Sequence, residues 1–316
     1  MTMSSSLPTS TSEPSNNATQ THFVETHILN IGYETNGNGT PLLLLHGWPD
    51  DVRTWDKVTG ALVQNGYQTI APYLRGYGPT TFKHRHHMRS GQVVAFAQDA
   101  IDLLDALNIE RVVVVGHDWG ARAGYAIAAL FPERVERLVA LAGGYETGIM
   151  PGDQISPPQA HAYWYQWFWH TKQGEQAIEG NRRGICRYLW KVWSPHMEFT
   201  EHEFETTAAS WENPDWVAGV LHAYRVRWGA ALPDPHYAKL EAQIETHPKI
   251  GVPTTVLHGE EDGASLVASS AGKEASFTGP YQRIVLPGVG HFIQREDPQA
   301  VIDAVLKGKE NYSVHK

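Results

Sequence analysis

The stretch that decides the architecture is Arg111-Val112-Val113-Val114-Val115-Gly116-His117-Asp118-Trp119-Gly120, which runs on through small residues to Leu130. Four consecutive valines read as a parallel strand covered by helices on both faces, because such a strand has no polar side. The residues after Gly120 read as a helix. Gly116 and Gly120 stand two positions to either side of Asp118. Small residues at that spacing let a strand turn into a helix through a sharp bend, which lifts the central side chain above the sheet edge. A serine is the usual occupant of such a bend. Here it is a carboxylate, placed where unpaired N–H groups and the positive end of a helix dipole suit a negative charge. Asp118 therefore reads as a nucleophile or as a plain helix N-cap, for which Asp is a favoured residue.

Outward from this bend, strand and helix alternate. Residues 22–33 alternate apolar and polar like a half-exposed strand. The run Pro41-Leu42-Leu43-Leu44-Leu45 is a second buried strand, ending at His46-Gly47. Residues 68–72, 135–142, 253–259 and 283–287 supply further strands. Residues 52–65 and 298–307 supply helices, and Ser90 is the expected N-cap of a helix reaching Leu107. This order implies an α/β fold with a mostly parallel, doubly wound sheet. Between 146 and 243 the alternation stops, and that segment holds eight of the eleven tryptophans. The expected organisation is a core of residues 21–145 and 244–312 with residues 146–243 as an inserted helical cap. Residues 1–20, rich in Ser, Thr, Asn and Pro, read as a disordered tail.

Composition narrows the partners. The 316 residues are 41% hydrophobic and 19% charged, which is ordinary for a folded chain. With 25 Lys and Arg against 34 Asp and Glu, the net charge of −9 argues against a nucleic-acid partner. Cys186 is the one cysteine, so neither an intrachain disulfide nor a cysteine metal cluster can form. No apolar run approaches the roughly 18 residues of a membrane span. No basic start followed by an apolar stretch marks a secretory signal, and a cytoplasmic location is the expectation. A homodimer stays open.

Two later segments join the bend. Gly259-Glu260-Glu261-Asp262-Gly263 places an acid after one strand, and Gly290-His291-Phe292 places a histidine after the next. Functional groups of a doubly wound sheet collect at the carboxyl ends of its strands. The order Asp118, Asp262, His291 is that of nucleophile, acid and base, with Asp262 orienting His291. The plainer readings are a turn residue for Asp262 and a packing histidine for His291. Lys83-His84-Arg85-His86-His87 reads as a solvated loop rather than a metal site, and Gly76-Tyr77-Gly78-Pro79 lacks the Lys-Ser or Lys-Thr of a phosphate loop. No metal and no cofactor is expected.

With His46-Gly47-Trp48-Pro49 and Leu74-Arg75-Gly76-Tyr77-Gly78 added, these motifs resemble the α/β-hydrolase superfamily. The resemblance runs from about 22 to 308 and is to the aspartate-nucleophile branch of epoxide hydrolases and of haloalkane and fluoroacetate dehalogenases. It departs at Pro72-Tyr73, where the family usually has Pro-Asp. The resemblance implies an oxyanion hole from the N–H groups of Trp48 and Trp119, and a cis bond before Pro49. Epoxide hydrolases carry two cap tyrosines in Tyr-Gln and Tyr-Arg contexts, matched by Tyr165-Gln166 and Tyr224-Arg225; Tyr163 is the alternative two residues away. Phenols can protonate the alkoxide released from an epoxide. A halide needs no proton, and the carboxylate clamp of fluoroacetate dehalogenases is half present, with Trp119 at its first position and Arg122 at its second. The implied activity is hydrolysis of an apolar or aromatic epoxide to a vicinal diol through an ester on Asp118. The alternatives are a hydrolytic dehalogenase using the same triad and a non-catalytic receptor on this scaffold. Glu146 is the fallback acid. His46, Pro49, Trp164, Phe168 and Phe292 are the expected pocket residues, and the cap aromatics imply a dry site for a small apolar molecule.

Overall fold

The computed structural model describes residues 20–145 and 155–310. Residues 1–19 of the expected tail, the first nine residues of the expected cap (146–154, with the fallback acid Glu146) and the last two residues of the expected core lie outside them. Nine strands form one sheet: β1 (Thr21–Glu25), β2 (Leu29–Asn36), β3 (Thr40–Leu45), β4 (Tyr67–Pro72), β5 (Thr81–Phe82), β6 (Val112–His117), β7 (Val135–Leu141), β8 (Thr254–Gly259) and β9 (Tyr281–Leu286). The order is β1-β2-β4-β3-β6-β7-β8-β9, with β5 paired to β2. From β4 to β9 every pairing is parallel, whereas β1, β2 and β5 add antiparallel partners at one end. The core is thus the mostly parallel, doubly wound sheet of an α/β-hydrolase fold.

The apolar runs have two cores to fill. Successive side chains of a strand point to opposite faces. Val112 and Val114 join Leu43 and Leu45 in one cluster, and Val113 and Val115 join Leu42 and Leu44 in the other. The first cluster is closed by α2 (Val93–Ala106) and α3 (Trp119–Leu130), and the second by α1 (Asp56–Gln64) and α11 (Pro298–Glu310). Between β7 and β8 lies the inserted cap: α4 (Pro157–Ala162), α5 (Trp164–Phe168), α6 (Lys172–Trp193), α7 (Glu201–Ala208), α8 (Trp216–Arg227) and α9 (Ala238–Ile244). The short helix α10 (Ile293–Glu296) precedes α11.

Three local expectations are corrected. Residues 22–33 are two antiparallel strands, because Thr26 and Leu29 close a tight turn that reverses the chain. Residues 52–65 begin as a 3-10 turn, Val52–Trp55, before α1. Ser90 is not a helix cap: α2 starts at Val93 after Gln92, and the Ser90 hydroxyl donates to the Gln92 side chain at 2.7 Å. Its position next to the buried Arg75, which donates to the Ser90 carbonyl, holds it away from the helix end.

Candidate active site

The chain passes from β3 to its neighbour β4 on one side and then to β6 on the other side of β3, so β3 and β6 flank a switch point where such sheets bind ligands. Trp48 follows β3 and Asp118 follows β6. Asp118 has φ 51° and ψ −113°, a strained conformation for a non-glycine residue. It is held there by its backbone, with its N–H donating to the Leu141 carbonyl and its carbonyl accepting from Arg122 N–H. Gly120 lets helix and strand touch, since a Cβ there would sit 2.0 Å from the Leu45 carbonyl oxygen. The Asp118 side chain makes no helix-capping hydrogen bond. It turns to the Trp48 N–H, which donates to Oδ1 at 3.0 Å. The Trp48–Pro49 peptide is cis.

The structure brings His291 and Asp262 to this carboxylate. His291 Nε2 lies 3.9 Å from Asp118 Oδ2, and Nδ1 lies 2.9 and 3.0 Å from the two Asp262 oxygens. Both His291 and Asp262 are buried. Burial alone would raise the Asp262 carboxyl, but the facing His291 and the hydrogen bonds of His258 and His291 outweigh it and hold it far below the usual range. N–H groups of Ala264 and Ser265 donate to it at 2.8 Å each. Burial would likewise lower His291, yet the Asp262 charge and hydrogen bond, with Asp118 behind, raise it. Nε2 has no hydrogen-bond partner among the described residues. An imidazole with one nitrogen anchored and the other free beside a carboxylate is arranged to move a proton.

The cap supplies the opposite wall. Tyr165 stacks on Trp48 at 5.6 Å and 11°, and Tyr224 stands edge-on to both, 5.6 Å from Trp48 and 5.4 Å from Tyr165. Each phenol oxygen accepts from a fixed donor, Tyr165 from Gln166 Nε2 at 2.9 Å and Tyr224 from Trp119 Nε1 at 3.1 Å. The two phenols are close enough to influence each other's titration. Burial, reinforced by the charge of Asp118, pushes both phenols up, so they remain protonated donors at neutral pH. Tyr163 faces another way: its ring packs on Trp228 and its hydroxyl lies 3.5 Å from Arg227 Nη2.

The remaining pocket expectations are dispersed. A cavity of about 20 Å³ beside the site is lined by Trp48, Leu74, Tyr77, Phe96, Trp119 and Tyr224, among others, and includes none of the five expected pocket residues. Phe292 is buried against His291 and Trp190. His46 is buried and accepts from Leu74 N–H, and burial lowers it to about 4. The Pro49 carbonyl accepts from Trp211 of the cap. Trp164 is 39% exposed, edge-on to Tyr165, and Phe168 tilts against it. Outside the site, His84, His86 and His87 crowd together with ring centres 4.7–5.2 Å apart. No group of three His, Cys, Asp or Glu among the described residues has the geometry to hold a metal ion. No helix among them is long and apolar enough to cross a membrane.

Sequence reasoning missed several supports. Arg295 grips Asp50 through two hydrogen bonds of 2.6 and 2.8 Å, tying α10 to the Trp48 loop. His117 Nε2 donates to the His291 carbonyl at 3.0 Å. The doubled acid in Trp48-Pro49-Asp50-Asp51 and the histidine beside Asp118 were the available signals. Tyr73, where the resemblance led to an expected Asp, donates to Glu34 at 2.9 Å, away from the triad.

Comparison with known proteins agrees with this geometry. A family described as alpha/beta hydrolase fold matches residues 40–298. An epoxide hydrolase of Caballeronia sordidicola is 33% identical over 90% of this chain and 92% of its own. Epoxide hydrolase A of Mycobacterium tuberculosis is 23% identical over 85% of this chain and 90% of its own. A solved structure from Klebsiella pneumoniae, provisionally assigned as an epoxide hydrolase, superposes with a TM-score of 0.88 at 38% identity, covering 92% of this chain and 97% of that one.

Proposed function

Because the chain belongs to the α/β-hydrolase family, and is related within it to epoxide hydrolases, we propose that this hydrolase opens small apolar or aromatic epoxides to vicinal diols through an ester on Asp118. What supports the reading is the pair of phenols, Tyr165 and Tyr224, packed on Trp48 within reach of the Asp118 charge, with their oxygens already held by N–H donors. Trp48 N–H holds Oδ1, which leaves Oδ2 to attack an epoxide carbon. The C–O bond of the ring breaks as the Oδ2–C bond forms, and the phenols hold and protonate the departing oxygen.

The second step uses the core. His291 Nε2 takes a proton from water, which attacks Cγ of the ester, and Asp262 stabilises the imidazolium. Oδ1 becomes the oxyanion, held by Trp48 N–H and, at the first turn of α3, by Trp119 N–H. Collapse breaks the Cγ–Oδ2 bond, the imidazolium proton goes to the leaving diol oxygen, and the second proton of the water returns to the phenolate left by ring opening, so that carboxylate, imidazole and phenols are all regenerated. Residues 21–145 and 244–312 act as the catalytic core and residues 146–243 as the cap. The phenol pair favours this reaction over dehalogenation: the Trp119 indole N–H that would serve a halide is engaged by Tyr224.

A single turnover of styrene oxide in ¹⁸O-water tests the reading. The expected outcome is diol without label and one labelled oxygen in the Asp118 carboxylate. Label in the diol and none in Asp118 would mean direct attack by water and would end the ester mechanism.

A further inference from the structure

The last turn of α6 reaches past the tyrosines and into the machinery of the core. The Trp193 carbonyl accepts two N–H groups, from Gly263 at 3.1 Å and from His291 at 3.0 Å. One is adjacent in sequence to Asp262 and the other belongs to the base itself, so a single cap oxygen bridges both loops of the acid–base pair. Ser194, the residue capping α6, is 1% exposed. Its hydroxyl accepts from Phe292 N–H at 3.0 Å and donates to Glu296 Oε1. Glu296 Oε2 in turn accepts from Gly290 N–H at 3.0 Å. The N–H groups of three consecutive residues, Gly290, His291 and Phe292, are thus all taken up by this assembly. The Trp193 ring lies 5.2 Å from His291 and 5.0 Å from Tyr165.

The glycines beside the triad record the same approach. A Cβ at Gly263 would sit 2.3 Å from the Val192 carbonyl, and one at Gly290 2.6 Å from the Ser194 Cα. Neither contact is tolerable, so the close passage of α6 accounts for both glycines.

We propose that Ser194 and Glu296 are positioning residues for His291, and that the end of α6 makes hydrolysis of the ester depend on the cap. The inference rests on the epoxide-opening reading, in which the two steps use different groups. Formation of the ester needs Asp118 and the phenols. Its hydrolysis needs His291 aimed at a water over Cγ, and an error of about 1 Å in such aim can cost a hundredfold. The charged and titratable groups facing His291 are Asp262 from the loop after β8, Asp118 and His117 at the end of β6, and Glu296 from α10.

The test is rapid-quench single turnover of styrene oxide, with the Asp118 peptide followed by mass spectrometry, on wild type, Ser194→Ala, Glu296→Gln and Glu296→Asp. Wild type is run first, and neither ester nor diol there would sink the epoxide reading by itself. Ser194→Ala is expected to form ester within about twofold of wild type and hydrolyse it about tenfold or more slowly, so that ester accumulates. Glu296→Gln should do the same and move the acidic limb of hydrolysis to lower pH, since a negative charge beside His291 is gone; Glu296→Asp should keep that limb in place. Equal slowing of both steps, or unchanged hydrolysis in both variants, overturns the proposal. Proton NMR of the His291 Nδ1–H reads the same geometry without substrate: a resonance identical in wild type and in folded Ser194→Ala or Glu296→Gln also overturns it. Glu296→Gln decides the matter if Ser194→Ala does not fold.

Discussion

The core half and the cap half of this site are made by different means. On the core side, position comes from backbone. Asp118 is lifted by a strained turn between β6 and α3, Asp262 is bound by two N–H groups after β8, and His291 follows β9. On the cap side, position comes from side chains packed on side chains. Tyr165 and Tyr224 are placed by Trp48, Trp193, Gln166 and Trp119. The difference teaches that the charge-bearing groups are fixed by backbone hydrogen bonds at the ends of strands, while the two phenols are fixed by aromatic packing.

The sharpest way to break this comparison is to remove the carboxylate. Asp118→Ala is expected to abolish styrene oxide turnover, by about 10⁴-fold or more, because the proposed mechanism takes its nucleophilic oxygen from this carboxylate. Circular dichroism should show the fold retained; residual turnover near wild type would dissolve the distinction between the halves. His291→Gln separates the two steps. Ester should form and persist, with hydrolysis down about 10³-fold in quench experiments, given the usual worth of a general base. On the cap side, Tyr165→Phe and Tyr224→Phe should each cost about 10- to 100-fold in kcat/KM and the pair about 10³-fold or more. A double variant with near-native rates would leave the phenols as packing alone.

The smallest effect is expected on the seam between the halves. Asp51 is buried, and burial with the neighbouring Asp50 charge raises it to about 7, against the hydrogen bonds of Ser210 and Arg53 N–H and the charge of Arg295. A carboxyl raised on folding contributes its stability fully below its ordinary value and loses it as the pH climbs through about 7. Asp51→Asn should therefore be more stable than wild type at pH 8.5, by about 1–3 kcal/mol in urea melts, with a smaller gain at pH 5 that fades below about pH 4. Equal effects at both pH values would mean that Asp51 stays charged across the seam.

Much of the core half was legible. The valine and leucine runs read as buried parallel strands, and the glycine-flanked acid after one of them read as a nucleophile or a cap at the sheet edge, the choice resting on its neighbours. The strand reading of residues 22–33 failed because period-two alternation continues through a tight turn and does not show reversal of direction. The Ser90 cap failed because a serine before an apolar run signals a helix start only when no tertiary partner claims the segment, and Arg75 claims it. Trp164 and Phe168 show the limit in the cap. Aromatic content announces packing but does not say which ring of a helical run turns inward.

By itself the sequence determined the alternating architecture, the sharp bend at Asp118, the order of the triad and the presence of a large aromatic insertion. These follow from local chain geometry and from side-chain periodicity, which act within a few residues. Only the tertiary structure decided that Tyr165 rather than Tyr163 meets Tyr224, that Arg295 braces Asp50, and that the end of α6 clasps the loops of Asp262 and His291. Those relations join residues tens to hundreds of positions apart, and they depend on how helices of the cap rotate and settle against the sheet, a choice made by packing between elements and written in no single stretch of chain.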